Sequence, residues 1–394
     1  MLKRKDALTR FRLAVSMFFF MQGIVFSAWA NRIPDIKRAL GLSDAALGTV
    51  LFSIPVGQLC AMGLSAWLVN RYGSRRMTVI ASLYYPLALI PLGFADNPYV
   101  LSAGLFFFGM GANLCGITSN TQGVGVESLY GRSILASFHG LWSMGGFLGG
   151  FISMGMAAMV VSARTHFIIV ACAAVAMMLA VRRMFVRFDM NPTTDTADGK
   201  EDEKTPFYKK TDSYLLLLGV MAFSSMICEG CMYDWSGVYF MQVVNAPAKL
   251  VQSGFVVSLC TMATGRLVAD RFITRFGPSR VVCVSGVLIF IGMALSVALP
   301  TLAFATLGFL LVGFGISSTV PVCYSLAGRS TTIKAGTAVS IVTSIGFLGF
   351  LLGPPLIGHL SALISLRLTF GVIGCLGLFV AVLATRLKRS EFKK

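Results

Sequence analysis

Runs of about twenty apolar residues recur along this chain, and their recurrence limits what it can fold into more than any other feature. A helix rising 1.5 Å per residue needs about 20 residues to cross a hydrocarbon layer ~30 Å thick. Only helices and closed barrels satisfy their backbone polar groups in that layer. Runs of this length lie near residues 11–30, 46–69, 77–95, 99–126, 134–162 and 165–187. They return near 213–241, 250–270, 280–299, 302–327, 336–363 and 367–387. The pattern predicts an all-α membrane protein with twelve transmembrane helices. Composition agrees: 56% of the 394 residues are hydrophobic and 12% are charged, where a soluble domain carries about 25% charged residues.

The basic residues set an orientation. With the N-terminus inside, the inner loops collect most of the Lys and Arg, among them Lys3, Arg4, Lys5, Arg71, Arg75, Arg76, Arg182, Arg183, Arg275 and Arg280. The outer loops keep Arg32, Lys37, Arg38, Arg164, Lys249 and Arg367. This asymmetry predicts both termini in the cytoplasm of a bacterial-type inner membrane. It also accounts for the net charge of +17 without a nucleic-acid partner. The basic start "MLKRKDALTRFRLAVSMFFF" runs on through Trp29 without a small-residue cleavage site, so no removable leader is expected. The nine cysteines lie in apolar runs, and none is spaced with His as zinc ligands are. They read as small core hydrophobes. No metal, cofactor or catalytic residue is expected.

The longest polar stretch, "DMNPTTDTADGKEDEKTPFYKKTD" at residues 189–212, reads as a flexible cytoplasmic linker. It separates a six-helix bundle at 1–188 from another at 213–394. The two bundles repeat. "RYGSRR" at Arg71 and "RFGPSR" at Arg275 stand 204 residues apart, and the same offset carries Gly109 and Gly111 onto Gly313 and Gly315, and Gly145 and Gly149 onto Gly349 and Gly353. Parallel repeats of this kind predict a solute site near the membrane midplane between the bundles.

On these motifs the chain resembles the major facilitator superfamily over nearly its whole length. "AWLVNRYGSRR" (Ala66–Arg76) is similar to the family's cytoplasmic loop motif, with Ala66 where Gly is usual and Asn70 where Asp is usual. "RIPDI", "NTQGVGVE", "FHGLWSMGG", "EGCMYDW" and "GFLLGPPLIG" resemble the YbjJ-type branch, whose relatives include fucose-permease-like and rhizopine-transport-like proteins. The resemblance implies a sugar, polyol or inositol-like solute taken up with a proton.

Acids inside apolar spans usually face a cavity or a partner. In the fourth span Asn113, Asn120 and Glu127 recur every seven residues, interleaved with Gly109, Gly116 and Gly123. The fifth answers with His139, Ser143, Gly146 and Gly150. Small residues allow close approach, so the two seams are expected to meet and bring Glu127 towards His139. That pair reads either as a proton relay or as a structural anchor of the loop at 127–133. In the seventh span Ser225, Glu229, Tyr233, Ser236 and Phe240 fall on one face, which suits a hydroxylated ligand. Glu229 is the first candidate for ligand contact and proton coupling. Gln22, Asn113, Asn120 and Tyr233 are the other candidate ligand contacts. Asp234 and Trp235 read as a latch or gate, Arg71 and Arg75 as latch residues, and Arg266 with Asp270, four apart on one helix, as an inner latch.

The chain carries no P-loop for ATP and no nucleophile–base pair for catalysis. It therefore reads as a monomeric secondary transporter working by alternating access, with a small polar solute and protons as its partners. The rivals are an exporter of amphipathic compounds, which predicts a cavity lined by Phe and Met, and a membrane sensor that transports nothing.

Overall fold

The computed structural model describes residues 2–130, 134–186, 213–330 and 335–387, with backbone alone for 2–6, 136, 270 and 335–336. The linker expected at 189–212 lies outside the described residues. Fourteen α-helices are described, and no strand is present among these residues. They are α1 (Leu2–Ala30), α2 (Ile33–Ala39), α3 (Asp44–Leu51), α4 (Ser53–Tyr72), α5 (Ser74–Leu87), α6 (Pro98–Tyr130) and α7 (Leu135–Ala158). They continue with α8 (Ala163–Val181), α9 (Ser213–Gln242), α10 (Ser253–Phe276), α11 (Pro278–Ala298), α12 (Leu302–Ala327), α13 (Ala335–Ile364) and α14 (Leu366–Ala384). Twelve stretches are long and apolar enough to cross a membrane, and each expected run falls on one of them. The fourth is longer than expected: α6 continues to Tyr130, which places Glu127 in the last turn of a helix.

The chain divides into two compact units. One holds the described residues of Met1–Leu42 and Val50–Gly199, the other those of Ser43–Thr49 and Lys200–Lys394. Inside the first, α1 packs along α7 and α4 along α6. Inside the second, α9 packs along α13 and α10 along α12. These are the same pairings, one repeat on.

The repeated glycines explain why. Gly73 and Gly277 hold φ of 82° and 81°, a left-handed region that Gly enters without penalty. Each ends a helix by returning its N–H to a carbonyl, Gly73 to Val69 at 3.0 Å and Gly277 to Ile273 at 2.9 Å. The next helix can then start at once. Gly109 and Gly313 serve close approach. A Cβ on Gly109 would stand 2.1 Å from the Ile54 carbonyl oxygen, and one on Gly313 would stand 2.2 Å from that of Ser258. Any larger residue would push the paired helices apart.

Candidate functional site

Glu229 gathers the most pointed polar geometry of the second unit. Its Oε1 accepts from the Tyr233 hydroxyl at 2.9 Å, one turn along α9. The same oxygen accepts from Arg266 Nη2 of α10 at 3.0 Å. The Glu229 side chain is 13% exposed and that of Arg266 is 34% exposed, so one edge of the pair is open. Arg266 also lines a cavity of about 310 Å³ with Thr274, Ser317, Ser325 and Arg329. A guanidinium holding a carboxylate beside hydroxyl groups offers donors and acceptors to a polar solute.

Arg266 was expected to pair with Asp270 along its own helix, and its guanidinium also reaches a carboxylate of the neighbouring helix, that of Glu229. The side chain of Asp270 lies outside the described residues. Of Tyr233, a candidate ligand contact, the ring is buried, tilted against Phe255 at 6.2 Å, and the hydroxyl reaches Glu229. The rest of that predicted face is helix packing: Ser225, Ser236 and Phe240 are fully buried.

The expected gate behaves differently again. Trp235 is fully buried, and its Nε1 finds no partner. Asp234 is 8% exposed, and no described residue forms a hydrogen bond or ion pair with it. The latch expected there has no described counterpart. Arg75 does tie two elements, donating from Nη2 to the Arg183 carbonyl at 3.0 Å, whereas Arg71 is exposed.

In the first unit the two seams meet only in part. A Cβ on Gly123 of α6 would stand 2.7 Å from the Leu135 side chain of α7. Gly109 of α6 instead closes on Ile54 of α4, and Gly145 and Gly149 of α7, beside the expected seam, close on Phe20 and Ile24 of α1. Glu127 Oε2 accepts from the backbone N–H groups of Ile134 and Leu135, both at 2.7 Å. It thus supplies acceptors to the first free donors of α7, where a helix needs them and where its dipole favours an anion. His139 sits edge-on to Phe19, with ring centres 5.1 Å apart. Gln22 is buried, its Nε2 donating to the Phe18 carbonyl at 3.3 Å. Asn120 is exposed, its Nδ2 donating to the Gly116 carbonyl at 2.9 Å. Asn113 keeps a buried Oδ1 without a partner.

Two polar clusters were not visible in the sequence. Gln122, fully buried, donates to Ser74 Oγ at 3.0 Å and to the Val186 carbonyl at 2.9 Å, and accepts from the Val186 N–H at 2.9 Å. One amide therefore ties α6 to α5 and to the end of the α8 segment. Arg32, also buried, donates to Asp35 Oδ2 at 2.7 Å, to His166 Nδ1 at 3.1 Å and to the Val161 carbonyl at 2.9 Å. The Arg32–Asp35 spacing can be read along the chain, but His166, 134 residues on, cannot.

The chain matches the model of the Major Facilitator Superfamily at residues 13–331 and 257–394. A protein of Yersinia pestis described as an uncharacterized MFS-type transporter is 30% identical over 381 residues, 96% of each chain. Membrane protein MosC of Rhizobium meliloti is 28% identical over 93% of this chain and 88% of its own. Among solved structures, the nucleoside transporter NupG aligns with a TM-score of 0.77 at 12% identity, covering 98% of this chain and 99% of that one. A bacterial homologue of the lysosomal transporter Spinster aligns at 0.73 and 15% identity, covering 99% and 98%.

Proposed function

The chain belongs to the Major Facilitator Superfamily, and within it we propose a proton-driven importer of a small hydroxylated solute of the sugar, polyol or inositol class. That it is a multi-pass membrane transporter rather than an enzyme follows from the family and the twelve apolar spans. The solute class rests on one observation, the Glu229–Tyr233–Arg266 cluster with its half-open edge. A solute hydroxyl can donate to Glu229 while another accepts from Arg266, and the ion pair loosens as it does so. Tyr233 holds the carboxylate in place through its hydroxyl.

In the first unit Asn113 brings a buried amide oxygen with no partner, and Gln22 and Asn120 bring amides whose bonds are to their own helices. Amides suit neutral hydroxyls because each both donates and accepts. The protein acts as a monomer in the inner membrane with both termini in the cytoplasm, as its basic loops favour.

The test is a thermal-shift panel on the purified protein in detergent, with sugars, polyols, amino sugars and hydrophobic cations. Stabilisation by hydroxylated solutes is the expected result. Stabilisation by hydrophobic cations alone would replace this reading with the exporter.

A further inference from the structure

In the first unit α4 and α5 both pack along α6 and meet each other far less. Between them lies a cavity of about 420 Å³ with an almost wholly apolar lining. Met110 and Leu114 of α6 form its floor, and Leu64 of α4 and Ile80 of α5 stand at its rims. Leu64 is 46% exposed and Ile80 53%, so both rims open to the hydrocarbon around a membrane span. Tyr84, at the far end, gives its hydroxyl to the Phe107 carbonyl at 3.1 Å and offers the groove only its ring.

The end at the Gly73 turn is polar. Arg76 and Tyr72 line the groove there, both are exposed, and no described residue bonds to the guanidinium or to the phenol hydroxyl. Arg71, beside Tyr72, is a second exposed cation. Trp67 stands edge-on to Tyr72 with ring centres 6.0 Å apart, and Trp and Tyr rings favour the level of the lipid headgroups. Neither α4 nor α5 contains an acid. An ammonium headgroup would find no carboxylate on these helices, whereas a phosphate finds cations and a hydroxyl donor. A hydrophobic cation would be repelled at the same end. From Arg76 to Tyr84 the helix rises about 12 Å at 1.5 Å per residue, most of the ~15 Å hydrocarbon depth of one leaflet.

We infer that this groove binds one anionic phospholipid, its phosphate held by Arg76 and Tyr72 and one acyl chain lying between α4 and α5 against Met110 and Leu114. The basic loops favour the cytoplasm for the Gly73 turn, which makes the lipid one of the inner leaflet. The site is separate from Glu229 and independent of the solute and of its coupling.

Native mass spectrometry of the full chain, delipidated in detergent and titrated with phosphatidylglycerol or phosphatidylethanolamine, tests it. One phosphatidylglycerol should bind more tightly than any that follow, and phosphatidylethanolamine should show no such first site. Arg76→Gln should lower the affinity of that first lipid by roughly tenfold, as loss of a charge-assisted contact does. Arg280→Gln, at the matching place in the second unit where Phe276 stands in place of Tyr72, should leave it unchanged. Ile80→Trp fills the groove from an exposed rim without altering a charge, and it should displace the lipid. Equal affinity for the two lipids, or equal losses in Arg76→Gln and Arg280→Gln, would mean unspecific charge attraction and overturn the inference. Displacement of the first lipid by glycerol phosphate or by a hydrophobic cation would overturn it too. The comparison of the two lipids on the wild type decides even if a variant fails to fold.

Discussion

Glu127 and Glu229 are the same residue type in apolar spans, and their surroundings divide them. Glu127 meets backbone N–H groups at the start of the next helix, partners that stay in place while that helix persists. Glu229 meets two side chains, one of them a third exposed, and side chains can exchange one partner for another. A glutamate in a membrane helix is therefore a capping group or a ligand group according to what it faces. Its position in the span does not decide.

The largest effect expected from this contrast is on Glu229. Glu229→Gln removes a charge-assisted bond of about 1.5–3 kcal/mol and should lower the affinity for a stabilising solute by roughly tenfold or more. A titration of solute-induced stabilisation measures it, and unchanged affinity would remove Glu229 from the site. Next in size is the coupling between the two partners. Glu229→Gln and Arg266→Gln together should cost less than the sum of the two, with a coupling on the order of 0.5–3 kcal/mol for residues in contact. A double-mutant cycle on solute affinity reads it, and strict additivity would show that the ion pair plays no part in binding.

A smaller and different effect is expected at the other glutamate. Glu127→Ala should lower stability by about 0.5–2 kcal/mol, as loss of a helix cap does, with solute affinity unchanged. Thermal melting with and without solute separates these quantities. A loss of affinity at constant stability would return Glu127 to the transport machinery. The smallest effect is at His139, which is exposed at the edge of the Phe19 ring. His139→Gln should change stability by no more than about 0.5 kcal/mol and leave the pH dependence of uptake as it was. A flattened pH profile would revive the proton relay.

The architecture was legible because the bilayer allows so few solutions. Twelve runs of adequate length, the matched "RYG" and "RFG" motifs and one glycine offset point to the same bundle repeated. The structure shows why the offset holds: Gly73 and Gly277 turn alike, and Gly109 and Gly313 let equivalent helices touch. The site was legible only in part. Helical periodicity put Glu229 and Tyr233 one turn apart, and they are bonded. It could not show that Arg266 of α10 reaches Glu229, because the partner lies 37 residues away and only packing brings it near. The glycine seams were legible only in part for the same reason: Gly123 meets α7 but Gly109 meets α4. Periodicity says which residues share a face but not which helix that face meets.

The most direct test of the central claim is a solute titration on three proteins side by side: wild type, Glu229→Gln and Glu127→Gln. The probe is the hydroxylated compound that most stabilises the wild type. Affinity should be lost in Glu229→Gln and kept in Glu127→Gln. Equal affinity in all three, or a loss confined to Glu127→Gln, would contradict the assignment.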